Sequence, residues 1–130
     1  METKNSISVG INRKETFHVE EEHSAPHVGS GTVRVLATPW MIAFMEISAR
    51  KMLDEHLPDS HTTVGVHVDV HHLAAAKVGA KVEARVNVSS YEGRRVGLSV
   101  KVLEGDRVIG EGRHQRVIVD KEKFLARVQD

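Results

Sequence analysis

Glu46 stands in the segment ATPWMIAFMEISARKML (Ala37 to Leu53), directly after an apolar stretch from Trp40 to Met45. On a helix its neighbours at three and four residues are Ile42, Ala43, Ala49 and Arg50. One reading is a surface ion pair to Arg50, worth only about 0.3–0.5 kcal/mol. The other is a carboxylate in apolar surroundings, whose raised proton affinity makes it a competent base near neutral pH. Three of the four neighbours are apolar, which favours the second. Nine histidines supply further candidates, because imidazole titrates near neutrality and serves acids, bases and metals alike. His67, Asp69 and His71 alternate along one extended run and share a face. Imidazole and carboxylate would suit zinc or a non-haem metal, but ligands on one strand rarely complete a coordination sphere. The expectation is a solvent-facing polar side and no metal. His72 has the opposite parity and continues the face of Val66, Val68 and Val70. It should point inward, with His71 replacing it if a one-residue bulge swaps the two faces.

These residues need a scaffold, and the patterning supplies one. Lys14 to Glu20 alternates as a first strand, and the following residues to about Thr32 read as a loop punctuated by Pro26, Gly29 and Gly31. Thr38 is placed to cap a helix that Pro39 opens and that runs to about His56, stopped by Leu57-Pro58-Asp59. Trp40 and Phe44, four apart, are expected in the core. The period then becomes two. Valines 64, 66, 68 and 70 form one run; Val82, Ala84, Val86 and Val88 the next; Val96, Leu98, Val100 and Val102 the third. Tyr91 to Arg95 and Glu104 to Asp106 are short, glycine-containing hairpin turns. The last strand, about Arg107 to Val119, carries Gly110 and Gly112, which signal a bulge or a close backbone approach. Asp120 caps a short closing helix.

A strand, one long apolar helix and four antiparallel strands make an α+β fold. A helix apolar on most sides must be covered widely, and a curved sheet wrapped around it does that. This is the hot-dog arrangement, in a single domain of residues 1–130; a generic α+β roll is the competing architecture. The expected unit is a homodimer, with a dimer of dimers left open. The 18 basic and 18 acidic residues cancel, which points away from nucleic acid and anionic membranes. Zero cysteines exclude disulfides and thiolate metal sites, and fit a cytoplasmic setting. No run approaches the roughly 20 apolar residues that span a bilayer.

Several local motifs, taken in order, resemble the fluoroacetyl-CoA thioesterase-like branch of the hot-dog thioesterases. They are Leu36-Ala37-Thr38-Pro39 with Met45-Glu46, Thr63-Val64-Gly65, and His71-His72-Leu73-Ala74-Ala75 before Lys77-Val78-Gly79. Glu92-Gly93-Arg94-Arg95, the run from Gly110 to Arg116, and Glu122-Lys123-Phe124 complete the set. The similarity spans about Val9 to Val128. The resemblance implies hydrolysis of a small acyl-CoA without cofactors, by a catalytic set of Thr38, Glu46 and His72. It also implies a backbone amide at Gly65 for the thioester oxygen. His114 and Arg116, in phase on the last strand, are then either a polar sheet face or contacts to coenzyme A phosphates, which suit arginine. The phenylalanines that close the pocket upstream of the threonine in the fluoroacetyl-specific enzyme are absent from Gly29 to Arg34, so another acyl group is expected. A non-catalytic acyl-CoA binding or sensing dimer is the alternative. Eight helical residues separate Thr38 from Glu46 by about 12 Å, so His72 or a second subunit must close the gap.

Overall fold

The period-two stretches are the strands of one antiparallel sheet, and the apolar segment is the helix it covers. The computed structural model describes residues 5–129. The elements are β1 (Asn12–His18), a 3-10 turn (Glu21–His23), α1 (Ala25–Val28), α2 (Thr38–Asp54), β2 (His61–His72), β3 (Lys81–Glu92), β4 (Arg95–Glu104), β5 (Arg107–Asp120) and α3 (Lys121–Gln129). The strands lie in the order β1-β3-β4-β5-β2, so β1 and β2 are the edges. Gly93 and Gly105, both with positive φ, turn the chain between β3, β4 and β5, where a side chain would be strained.

The inward residues of β3 and β4 are the expected ones. Val82, Ala84, Val86, Val88, Val96, Leu98, Val100 and Val102 are buried against Met41, Phe44, Met45, Met52 and Leu53 of α2. Burying each of the larger side chains stabilises the fold by about 1.5–3 kcal/mol before entropic costs. This packing fixes α2 along the sheet and sets the height at which each of its polar residues emerges.

Three local expectations are corrected. Thr38 is not the N-cap: Ala37 is, with extended backbone and no side-chain cap. The amides of Leu36 and Ala37 are bonded to the carbonyls of Ala76 and His23 at 2.7 and 2.9 Å. Those bonds hold Ala37 extended, so helical geometry starts at Thr38 and its hydroxyl is free for another partner. The segment after β1 is not all loop: Pro26 lies in the first turn of α1 and Gly29, at φ 90°, ends it, because proline suits a first helical turn as well as a turn proper.

The third correction concerns β2. Its pairing with β5 shifts register between Gly65 and His67, and one extra residue reverses the faces. Before the bulge Thr63 and Gly65 sit on the helix side, opposite Ile118 and Arg116; after it Val68, Val70 and His72 do, opposite His114, Gly112 and Gly110. Val66 falls in the bulge and is 48% exposed. The four valines therefore do not form one face. On β5, Gly112 fits the expected close approach, since a Cβ there would stand 2.6 Å from Val70 Cα. Asp120 caps α3 as expected, accepting from the Lys123 amide at 3.1 Å. Among the described residues no helix is long and apolar enough to cross a membrane.

Candidate active site

Two polar centres lie along α2. At its start, Thr38 Oγ1 stands 2.7 Å from His72 Nδ1. Thr38 is there because it is the first residue of α2, and His72 because it continues the inward face of Val68 and Val70 beyond the bulge. His71, the fallback, is exposed. The Nε2 atom of His72 is buried without a hydrogen-bond partner among the described residues. Burial pulls the His72 pKa below the usual imidazole value, so the ring is neutral around neutrality and free to take a proton. A hydroxyl bonded to one ring nitrogen, with the other nitrogen buried and unpaired, is equipped to relay a proton to a reacting group.

Two helical turns on, Glu46 occupies the second centre. Its carboxylate is neither sealed in apolar surroundings nor paired with Arg50. The side chain is 40% exposed and its Oε2 accepts from Arg116 Nη1 at 3.2 Å. Arg50 instead pairs with Asp54 at 3.1 Å. His114 Nε2 lies 3.6 Å from the same Glu46 oxygen. Directly beneath is Gly65, where an added Cβ would overlap Glu46 Oε2 and come within 3.2 Å of His114 Cε1. Its backbone lies outside the left-handed region. Glycine is required here for space, so that a carboxylate can rest against the strand.

Arg116 and His114 belong to this second centre. Only 6% and 1% exposed, they lie on the helix side of the sheet and not on a polar outer face. Arg116 donates from Nε to Thr63 Oγ1 at 2.7 Å and from Nη2 to the Thr63 carbonyl at 2.9 Å. His114 Nδ1 meets the His67 carbonyl at 2.9 Å and its Nε2 meets Arg116 Nη1 at 3.1 Å. A carbonyl only accepts, so the proton resides on Nδ1 and Nε2 receives from the guanidinium. Burial holds the His114 pKa down and the nearby Arg116 charge adds to that, which keeps the ring in this neutral form. Thr63 escaped sequence reasoning as a site residue. The signal for it was the parity of β2 upstream of Gly65, hidden by the bulge.

The remaining candidates sort by face. His67, Asp69 and His71 are exposed on the outer side of β2. Among the described residues no three histidine or acidic side chains are grouped to hold a metal ion. Trp40 and Phe44 are core residues, as expected, with ring centroids 6.0 Å apart. Phe17 stacks on Phe44 at 4.3 Å, and His23 packs between Trp40 and Phe44 at 4.4 and 5.1 Å. The Gly29 to Arg34 segment is exposed throughout and has no aromatic residue.

A family model described as fluoroacetyl-CoA-specific thioesterase matches residues 19–122, from the end of β1 into α3. The chain belongs to that family. The fluoroacetyl-CoA thioesterase of Streptantibioticus cattleyicolor is 33% identical over 95 residues, 73% of this chain and 68% of that one. A variant of the fluoroacetyl-CoA-specific thioesterase FlK, solved with fluoroacetate and CoA, superposes with a TM-score of 0.83 at 27% identity, covering 91% and 99% of the two chains. A hot-dog-like protein from Thermanaerovibrio acidaminovorans superposes with a TM-score of 0.85 at 30% identity, covering 93% and 90%. The fold is therefore the hot-dog, and the chain is an enzyme of the acyl-CoA thioesterase class.

Proposed function

We propose that this protein hydrolyses a small acyl-CoA thioester other than fluoroacetyl-CoA, using Thr38, His72 and Glu46. The observation that carries the reading is the Thr38–His72 contact of 2.7 Å, with the second ring nitrogen buried and unpaired. A hydroxyl held on one ring nitrogen, with the other nitrogen buried beside it, is an arrangement suited to proton transfer. The thioester carbonyl lies at the Gly65 amide, where a donor aimed at a developing oxyanion contributes on the order of 2.7–4 kcal/mol. Glu46 takes the proton of the attacking water, or attacks first and is released from an anhydride by water. The carbon–sulfur bond breaks and the thiolate departs with a proton relayed by His72 and Thr38. One water enters, and one acid and one thiol leave.

A single chain does not assemble this set. Thr38 and Glu46 are about 12 Å apart along α2, and each already has its own partners. A second copy at the β2 edge completes the site. That strand is bonded on one side only, and Val66 and Val68, 48% and 40% exposed, line it. An unpaired edge strand of 12 residues with exposed valines needs a cover. We take the working form to be a cytoplasmic homodimer with two composite sites. The open Gly29 to Arg34 segment leaves the acyl pocket without an aromatic cover, which favours an acyl group broader than fluoroacetyl.

The test is free-thiol release across a panel of short acyl-CoA esters by the parent, Glu46→Gln and His72→Asn. At least one ester should be cleaved, with both variants folded and slowed by 10²-fold or more. Acyl-CoA binding without cleavage of any ester would instead make the protein a sensor, and a fully active Glu46→Gln would remove Glu46 from the chemistry.

A further inference from the structure

We propose that Arg116 is the positioning residue for Glu46: held by Thr63 and His114, it pins carboxylate Oε2 and leaves Oε1 as the oxygen that meets water or the thioester carbon. The inference rests on Glu46 being the group that acts on the thioester. It adds which atom acts and what aims it.

The argument is one of commitment and direction. Arg116 is 6% exposed, whereas the Glu46 side chain is 40% exposed. The cation is thus fixed in the protein and the carboxylate reaches back to it. Nε and Nη2 of Arg116 are spent on Thr63 Oγ1 and the Thr63 carbonyl, both on the strand that also carries Gly65. Nη1 points between His114 Nε2 at 3.1 Å and Glu46 Oε2 at 3.2 Å. His114 cannot donate to Glu46, because its one proton is used on the His67 carbonyl. Its role is to receive from Arg116 and so fix the plane of the guanidinium. Of the groups around the guanidinium, Thr63, His114 and His67 are held on two paired strands; only Glu46 ends a flexible side chain. The strands therefore set the direction in which Oε2 is held. Among the described residues Oε1 has no hydrogen-bond partner, and it is the oxygen left to face the reaction. A coenzyme A phosphate would have to displace Thr63 or Glu46 to use the same guanidinium, so the phosphate contact considered for Arg116 and His114 does not fit this geometry.

The experiment is a kinetic double-mutant cycle with a shortened substrate. Arg116→Gln should lower kcat by roughly 10²-fold with KM changed less than about threefold, as expected for a displaced catalytic group. In the Glu46→Gln background the same substitution should add almost nothing, because its effect passes through Glu46. Arg116→Lys, which keeps the charge and loses the fork, should recover part of the rate. The preference for the acyl-CoA over its 3′-dephospho form should be the same in parent and Arg116→Gln. A raised KM, an equal loss in both backgrounds, or a lost preference for the 3′-phosphate would each overturn the proposal and assign Arg116 to coenzyme binding. If Arg116→Gln does not fold, Thr63→Val carries the test: it removes the Nε acceptor at similar volume and should lower kcat roughly tenfold, and an unchanged kcat overturns the proposal. If Glu46→Gln is fully active, the underlying reading of Glu46 fails; if it is inactive while Arg116→Gln keeps its kcat, only the positioning role does.

Discussion

Gly65→Ala separates two uses of one residue. Alanine keeps the backbone amide, so an oxyanion contact from Gly65 survives and only the Cβ is new. That Cβ would stand closer to Glu46 Oε2 than the 3.0 Å which real Cβ atoms essentially never breach, with His114 Cε1 at 3.2 Å and Arg116 Nη1 at 3.4 Å behind it. Arg116 and His114 are buried and fastened to two strands, so they yield little. The carboxylate is the loose end and must retreat by on the order of 1 Å to reach ordinary contact. Because Glu46 is 40% exposed, solvent receives it and the stability cost stays within about 1 kcal/mol, typical of a partly exposed position. The catalytic cost is larger, since a misplacement of about 1 Å can cost 10²-fold in rate. Gly65→Ala should therefore melt within a few degrees of the parent while its kcat for the best ester falls by roughly 10²-fold. Thiol release and a thermal melt suffice to check it. A variant with the parental kcat would show that the carboxylate's seat on the strand is immaterial, and the account of Glu46 would fall with it.

Two further outcomes follow. Thr38→Ala and Glu46→Gln, each nearly inactive alone, should regain about a quarter of parental activity after mixing and subunit exchange, because half the dimers are then mixed and carry one intact composite site of two. No recovery despite proven exchange would place all three residues of a site in one chain. His72 and His114 both have pKa values held below the ordinary 6.5, chiefly by burial. Their folded pKa values are depressed, so the stability they confer is fully present above about pH 6.5 and is lost as pH falls below it. Each contributes a slope of up to about 1.4 kcal/mol per pH unit. The melting temperature should already decline as pH falls from 6.5 towards about 5.5, above the range in which carboxylates such as Glu15, whose pKa is lowered, take up protons. A flat profile across that interval would mean that neither ring has to be neutral in the native state.

What the chain discloses by pattern is what patterning physically controls. The runs at 82–88 and 96–102 alternate because one face meets α2 and the other meets water, and each falls within its observed strand. The apolar density of residues 40–45 reflects a helix covered by a sheet, and Leu57-Pro58 lies just beyond its end. The inward face of His72 was legible through strand parity, and it meets Thr38 there; the roles of Thr38, Glu46, Gly65 and His72 belong to the proposed reaction. The N-cap was misplaced by one residue because hydrogen bonds from Leu36 and Ala37 to distant carbonyls, and not local propensity, decide where helical geometry begins.

The environment of Glu46 was the least legible part, and the reasons lie in how β2 and β5 pair. One unpaired position at Val66 shifts the face of everything before it, moving Thr63 and Gly65 to the helix side. A strand with valines at 64, 66, 68 and 70 conceals that shift, since the alternation looks uninterrupted in one dimension. Arg116 and His114 read as a solvated stripe because no apolar residue from Glu111 to Arg116 marks the inner face of β5, and Glu46, judged by its helix neighbours alone, reads as a carboxylate among apolar groups. Pairing opposite the buried Val96 and Leu98 of β4 turns both inward, and the shift in β2 brings Thr63 and Gly65 alongside, so a guanidinium already spent on Thr63 stands 3.2 Å from Glu46. The chemistry changes accordingly. A carboxylate in apolar surroundings works by holding its proton strongly, whereas one tied to a fixed cation works as an aimed anion. Arg116, turned inward by its pairing with β4 and held by Thr63, decides which of the two this site contains.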